Sequence, residues 1–283
     1  MNIQYTSDLH IDHTGRKVFS SQCIAGDVLV IAGDVSGQID NVVCFLEARS
    51  QAEVPILFVP GNHEFYGYPF RRYPTMLRKK LPMGVFLLDR TETVISGVRF
   101  LGCTLWTDFG GESIDVMDYC ENDMPDFQFI LNEYGGFISA EDQLTRHKEE
   151  RQWLSERLSV PFPGPTVVVT HHAPSFRSIP HQFAESPINP AFASDLEQLI
   201  LKHSPELPAH DTDLITPNPQ DPGGGIHRGS GQGRNQDGLS LPELLNRLGR
   251  ADKTDGFINL AFFVGCSAGH GSSSGRVHGP IMQ

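Results

Sequence analysis

The chain has 283 residues, of which 39% are hydrophobic and 20% charged, and its formal net charge is -12 at pH 7. This length suits one large domain or two small ones, with enough apolar residues for a sizeable core. The acidic balance argues against nucleic acid as a partner, because phosphate backbones are bound by clustered basic side chains. The acidic balance does not exclude substrates that carry phosphate, since bound divalent cations can dominate the charge of a site.

The cysteine content and the N-terminus indicate a cellular setting. The five cysteines are Cys23, Cys44, Cys103, Cys120 and Cys266. An odd number without any Cys-x-x-Cys pair argues against a disulfide framework and against a thiolate zinc site. There is no charged segment followed by an apolar one at the N-terminus, and no apolar run approaches the ~20 residues that a membrane span needs. We therefore expect a cytoplasmic protein with no membrane partner.

Strands and a helix alternate in the first sixty residues. Residues 1–6 and the apolar run 28–32 read as strands, and the second is typical of a strand that is buried on both faces. Residues 40–52 have helical periodicity, and 56–59 form the next buried strand before Pro60-Gly61. This alternation predicts an α/β architecture.

The pattern changes after residue 85. Short strands are predicted at 85–88, 93–95 and 98–103, with Ser96-Gly97 as a hairpin turn, so that an antiparallel, mixed-sheet stretch is expected. Residues 106–136 are polar and rich in Asp and aromatic residues, which indicates an ordered loop with a short helix. Lining the mouth of a site and ordinary surface packing are both compatible with this composition.

The next elements lead to a change of character near residue 207. An amphipathic helix is predicted at 140–158 with Ser139 as its N-cap. A buried strand at 166–170 and a helix at 194–203 follow it. Residues 208–283 are atypical, because 217–238 is rich in Gly, Pro, Asn and Gln, a composition that cannot pack a core. Within this segment a short helix at 239–248 and a strand at 258–264 are expected. The predicted division is therefore a domain at 1–207 and an irregular C-terminal segment at 208–283.

Four of the predicted strands end in residues that bind metals. The ligand-type residues are Asp8 and His10, then Asp34, then Asn62, His63 and Glu64, and finally His171. Each alone has an ordinary explanation, such as a surface loop, a turn or a structural histidine. Together they indicate a site, because ligands in open α/β sheets gather beyond the carboxyl ends of the strands. A mixed set of oxygen and nitrogen ligands suits Mn²⁺, Fe or Zn²⁺ and suits Ca²⁺ poorly.

The ordered set resembles the calcineurin-like metallophosphoesterase superfamily over residues 1–207. The most specific parts are Gly61-Asn62-His63-Glu64 and Thr170-His171-His172-Ala173-Pro174-Ser175. The resemblance implies a four-layer α/β/β/α sandwich of mixed sheets with two divalent metal ions. It implies Asp8 and His10 on the first ion, Asp34 as the bridging ligand, Asn62 and His171 on the second ion, and His63 as a catalytic acid. The implied activity is hydrolysis of a phosphomonoester or phosphodiester by a metal-activated hydroxide.

One expected motif of that family is missing from its place. After the helix at 194–203 the family has Gly-His-x-His, whereas this chain has only His210 there, and His270 further on also lacks a partner. An altered reading frame beyond Leu207 is one hypothesis for this loss. The alternative to an enzyme is a catalytically weak or inactive scaffold of the same fold. A nuclease is a third possibility, disfavoured by the acidic composition.

Overall fold

Two β-sheets form the centre of the computed structural model, which describes residues 1–14, 24, 26–179, 185–203, 239–240 and 260–264. The strands of the first sheet are β1 (Asn2–Thr6), β2 (Val28–Ile31), β3 (Ile56–Phe58), β4 (Val85–Leu87) and β8 (Leu239–Ser240). Their order is β4-β3-β2-β1-β8, and the first four are parallel while β8 runs antiparallel to β1. Because β1, β2 and β3 are parallel neighbours, their carboxyl ends meet at one edge.

The second sheet is mixed, as the sequence predicts for the stretch after residue 85, but the strand predicted at 85–88 is not part of it: β4 pairs in parallel with β3 in the first sheet. Its strands are β5 (Thr91–Ile95), β6 (Val98–Cys103), β7 (Thr166–Thr170) and β9 (Leu260–Val264), in the order β5-β6-β7-β9. Strands β5 and β6 are antiparallel, and the other two pairs are parallel. Ser96 and Gly97 both have positive φ angles, of 50° and 79°, which is the geometry of a tight two-residue hairpin turn.

Eight α-helices are described in these parts of the chain. They are α1 (Ile11–Thr14), α2 (Ile39–Ser50), α3 (Tyr73–Arg78), α4 (Phe109–Glu112), α5 (Ile114–Asp123), α6 (Asp126–Phe129), α7 (Ala140–Leu158) and α8 (Glu197–His203). Helix α7 agrees with its prediction, and Ser139 caps it by accepting a hydrogen bond from the Asp142 amide. The segment 106–136 holds three short helices instead of one, and α8 begins three residues later than expected.

The cores lie in three layers and confirm the four-layer sandwich. Between the sheets, Val30 and Leu57 of the first sheet pack with Phe100 and Val167 of the second. The outer face of the first sheet packs against α2 and α3, and the outer face of the second packs against α7 and α8. This alternation arises because successive side chains of a strand point to opposite faces, so that each sheet buries one face on the other sheet and one on helices.

The C-terminal segment contributes strands to both sheets. Strand β8 pairs with β1, and β9 pairs with β7 in the register Val167 to Ala261. The strand predicted at 258–264 is thus present as β9. Of the helix predicted at 239–248, the structure describes only Leu239–Ser240, which form strand β8, and the remainder lies outside the described residues. The predicted Gly/Pro-rich stretch 217–238 and the histidines His210 and His270 lie outside the described residues.

Two further observations bear on the expectations for the chain as a whole. No helix in the described part of the chain is long and apolar enough to cross a membrane. Cys44, Cys103 and Cys120 are free thiols.

Candidate metal centre

The loops after β1 and β2 are joined by backbone hydrogen bonds. The Asp8 amide donates to the Gly33 carbonyl, and the His10 amide donates to the Asp34 carbonyl, both over 3.0 Å. Asp8, His10 and Asp34 have φ angles of 53°, 40° and 57°, in the left-handed region that residues other than glycine avoid. Such conformations persist only where the surroundings impose them, and they concentrate at functional sites.

Asp34 lies at the centre of a group of histidines. Its Oδ2 is 3.7 Å from His10 Nε2 and 3.9 Å from His63 Nε2, and its Oδ1 is 3.5 Å from His171 Nε2. Burial alone would raise the pKa of Asp34, but His171, His63 and His10 outweigh it and lower the pKa to about 2. Asp34 is therefore a buried anion at neutral pH, and the Nε2 atoms of three histidines lie within 3.9 Å of its carboxylate oxygens.

Three of these side chains form a group that can hold one cation. Ligand atoms of His10, Asp34 and His63 all lie within 4.8 Å of one another. The rings of His10 and His63 meet edge to face, with centroids 4.5 Å apart. The sequence predicts an acid rather than a ligand at His63, and its position here is compatible with both roles.

His171 presents one ring nitrogen to the centre. Its Nδ1 is 2.8 Å from the Ala32 carbonyl oxygen, so this nitrogen carries a proton and donates it to that oxygen. Its Nε2 faces Asn62 Oδ1 at 3.1 Å and the Asp34 carboxylate. Burial lowers the pKa of His171, but the charges of Asp34 and Asp8 outweigh it, so that the pKa lies above its usual value. The charge of Asp8 therefore contributes to the raised pKa of His171.

The donor chemistry around His171 fits a cation. In the neutral tautomer with the proton on Nδ1, the Nε2 atom is an acceptor, and it meets the carbonyl oxygen of Asn62 and the carboxylate of Asp34. Acceptors repel one another unless a proton or a cation lies between them. The arrangement of these three side chains is what a divalent ion with oxygen and nitrogen ligands requires.

Two glycines allow the strand ends to approach this closely. A Cβ atom on Gly33, whose φ is 92°, would lie 2.6 Å from His171 Nδ1, and one on Gly61 would lie 2.1 Å from Asp34 Oδ1. Real Cβ atoms essentially never make contacts this short. Any side chain at either position would displace the residues of the centre.

Glu64 ties the loops of β2 and β3 together. Its fully buried carboxylate accepts hydrogen bonds from four amides, those of Asp34, Val35, Ser36 and Gly61, over 2.6–3.1 Å. Burial and then the charge of Asp34 raise the pKa of Glu64 to about 7, and the amides oppose this rise because they bind the ionised form. Glu64 thus orients its neighbours through their backbones.

Sequence reasoning missed Asp126 and Tyr66. Asp126 Oδ1 accepts hydrogen bonds from Asn62 Nδ2 over 2.8 Å and from the Tyr66 hydroxyl over 2.7 Å. The Tyr66 ring stacks on His63 with centroids 4.6 Å apart. Asp126 is 1% exposed, and burial raises its pKa. The only signal in the sequence for Asp126 is its place in the Asp-rich and aromatic-rich segment 106–136.

His172 was also left unassigned by the sequence. It is buried, its ring stacks on Trp106 at 5.3 Å, and its backbone amide donates to the Thr104 carbonyl. Burial, followed by the neighbouring His171, lowers the pKa of His172 to about 3, so it is a neutral ring at physiological pH. It supports His171 by packing.

Comparisons with known proteins agree with the geometry. A family model described as calcineurin-like phosphoesterase matches residues 1–201. An uncharacterized protein, L509, of Acanthamoeba polyphaga mimivirus is 24% identical over 224 residues, which cover 70% of this chain and 79% of that protein. The acyl-carrier-protein phosphodiesterase PptH of Mycobacterium tuberculosis is 25% identical over 170 residues, which cover 56% of this chain and 48% of PptH.

A solved structure shares the fold. The crystal structure of the phosphopantetheinyl hydrolase PptH from Mycobacterium tuberculosis aligns with a TM-score of 0.54 at 19% identity, covering 69% of this chain and 76% of that one. This chain and PptH therefore share the same fold.

Proposed function

Because the chain belongs to the calcineurin-like phosphoesterase family, we propose that it is a metal-dependent phosphoester hydrolase whose two divalent cations are bridged by Asp34. The observation that carries this proposal is the position of Asp34 itself. It is a buried carboxylate with a pKa of about 2, and histidine nitrogens approach both of its oxygens within 3.9 Å. A bridging ligand needs this combination of negative charge and access from two sides.

The neighbours of Asp34 would form two ligand sets. Asp8 and His10 would hold the first ion, and Asn62 and His171 the second. Mn²⁺, Fe or Zn²⁺ fits this mixture of carboxylate, amide and imidazole donors. Bound cations of this kind supply Lewis-acid stabilisation of the phosphoryl group and lower the pKa of water.

His63 is proposed as the acid that protonates the leaving oxygen. Its ring is held between His10 on one side and Tyr66 on the other, with centroids 4.5 and 4.6 Å away. This packing fixes the ring beside Asp34 and leaves 30% of the side chain exposed, so that a substrate can reach it. A proton donor needs both the fixed ring and the access.

The substrate is proposed to be a small phosphoester. PptH, which is named as an acyl-carrier-protein phosphodiesterase, makes phosphodiesters the first class to assay, and phosphomonoesters the second. The cytoplasmic setting stays a prediction from the cysteines.

A catalytically weak scaffold is the competing proposal, and one observation of the sequence favours it. The Gly-His-x-His motif that would complete the two ligand sets has no counterpart after α8. Metal binding separates the two proposals, because an enzyme must retain ions at micromolar protein concentration and the scaffold need not.

Asp34→Asn tests the proposed enzyme, with Asp115→Asn on the exposed side of α5 as its matched control. The protein is stripped with chelator, reloaded with Mn²⁺, and analysed for metal content and for hydrolysis of bis(p-nitrophenyl) phosphate and p-nitrophenyl phosphate. We expect Asp34→Asn to lose metal and activity, because an amide cannot neutralise two cations, while the control retains both. Two retained ions and wild-type turnover in Asp34→Asn would refute the bridging role.

A further inference from the structure

One buried carboxylate outside the predicted ligand set contacts Asn62 of the candidate centre and Tyr66 beside it. Asp126 begins helix α6 and is 1% exposed. The same oxygen, Oδ1, accepts hydrogen bonds from the side-chain amide of Asn62 and from the hydroxyl of Tyr66. Its other oxygen, Oδ2, is buried and has no hydrogen-bond partner in the described residues. A residue of this kind is costly to bury, so its presence beside the centre calls for a role.

The orientation of the Asn62 amide decides whether this side chain can bind a cation. Only the carbonyl oxygen of an amide is a metal ligand, whereas its NH₂ group repels a cation. The Oδ1 atom of Asp126 is an acceptor for this NH₂ group, over 2.8 Å. Asp126 therefore holds the Nδ2 atom of Asn62, and the Oδ1 atom is left facing His171 Nε2 at 3.1 Å.

The second contact extends to the proposed acid. The Tyr66 hydroxyl is fixed by Asp126 over 2.7 Å, and the Tyr66 ring stacks on His63 at an interplanar angle of 24°. The position of the His63 ring thus depends on a phenol that the same carboxylate anchors.

We propose that Asp126 is a positioning residue that fixes the Asn62 carbonyl oxygen toward the second cation and fixes Tyr66 against His63. The proposal rests on the proposed function. It assigns to the segment 106–136 a part of the site that the motifs of the strand ends do not contain. Partners that orient a ligand in this way commonly change metal affinity by about 10–100-fold when they are removed.

Substitutions at two positions separate this role from simple packing. Asp126→Asn keeps a carbonyl oxygen where Oδ1 lies, so both hydrogen bonds can form without the charge. Asp126→Leu keeps the branched shape with two methyl groups in place of the oxygens and offers no acceptor, so both are lost. Tyr66→Phe removes only the bond to the phenol and leaves the Asn62 amide held.

The readout is Mn²⁺ binding to the full-length, chelator-stripped protein, measured by calorimetry. We expect Asp126→Leu to weaken one of two Mn²⁺ sites by about 10–100-fold. Asp126→Asn and Tyr66→Phe should stay within about threefold of the wild type, because the orientation of Asn62 is kept in both. In an Asn62→Ala background, Asp126→Leu should cause no further loss, which is the signature of one residue acting through another.

The outcomes distinguish the failure of this proposal from that of the function. A wild-type protein that binds no Mn²⁺ would overturn the proposed function and this inference with it. Wild-type affinity in folded Asp126→Leu, or an additional loss in the Asn62→Ala background, would overturn the inference alone. If Asp126→Leu does not fold, the side-chain NH₂ resonance of Asn62 in the metal-free wild type decides. Slow proton exchange supports the hydrogen bond to Asp126, and exchange as fast as in an exposed amide overturns it.

Discussion

Gly61→Ala should disable the centre although it replaces none of the proposed ligands. The added Cβ would lie 2.1 Å from Asp34 Oδ1, 2.7 Å from the Asp34 amide nitrogen and 2.7 Å from His171 Cε1, whereas ordinary van der Waals contact begins at 3.4 Å. The Asp34 backbone cannot retreat easily, because its amide donates to the buried Glu64 carboxylate over 2.8 Å. The Asp34 carboxylate must therefore move by about 1 Å, a displacement that typically costs 10²-fold in rate.

The assays for this variant are hydrolysis of bis(p-nitrophenyl) phosphate, Mn²⁺ content and thermal unfolding. Overpacking should lower the free energy of unfolding by about 1–3 kcal/mol, so a folded protein is still expected. Gly37→Ala is the matched control, because its Cβ would meet its nearest neighbour, the His63 carbonyl oxygen, at an ordinary 3.5 Å. Activity and metal content within a factor of two of the wild type in Gly61→Ala would refute the close approach on which the reasoning depends.

Two further predictions concern the acid and the C-terminal strand. His63→Ala should lower kcat by roughly 10²–10⁴-fold while both ions stay bound, and loss of an ion, measured by metal analysis, would make His63 a ligand instead. A chain that ends at Leu207 should aggregate in light-scattering measurements, because removal of β9 exposes the edge of the valine-rich strand β7. A chain that ends at Ser267 retains β9 and is the control. A stable monomer ending at Leu207 would contradict the pairing of β7 with β9.

The sequence predicts much of the fold because continuous apolar runs mark the buried strands and the turn residues that follow them mark where the strands end. Residues 28–31 and 166–170 are continuous β-branched and apolar runs, and each is fully buried between a sheet and a helix layer. The Gly33 turn after the first of these runs presents Asp34 at the edge where β1 and β3 also end. Local sequence therefore carries the information for both the strands and the place of the ligand-type residues.

The supporting interactions could not be predicted in the same way. Asp126 lies 64 positions from Asn62 in the chain, and nothing in its local sequence indicates that its carboxylate is buried against an amide. The backbone hydrogen bonds to Glu64 likewise depend on how two loops meet. Contacts of this range follow from tertiary packing, so a single sequence without its structure does not reveal them.

The hydrogen bonds around His171 leave acceptors, and few donors, facing the interior of the centre. The Ala32 carbonyl fixes the proton on Nδ1, and Asp126 turns the Asn62 oxygen inward, so that each neighbour removes a donor from the interior of the site. With His171 in its neutral form, what remains is an inward-facing set of lone pairs around an anionic Asp34. Such a set is unfavourable by itself, because acceptors in a low-dielectric site repel one another, and it becomes favourable when cations occupy it. The strain in the backbone of Asp8, His10 and Asp34 is consistent with a site shaped for that occupancy.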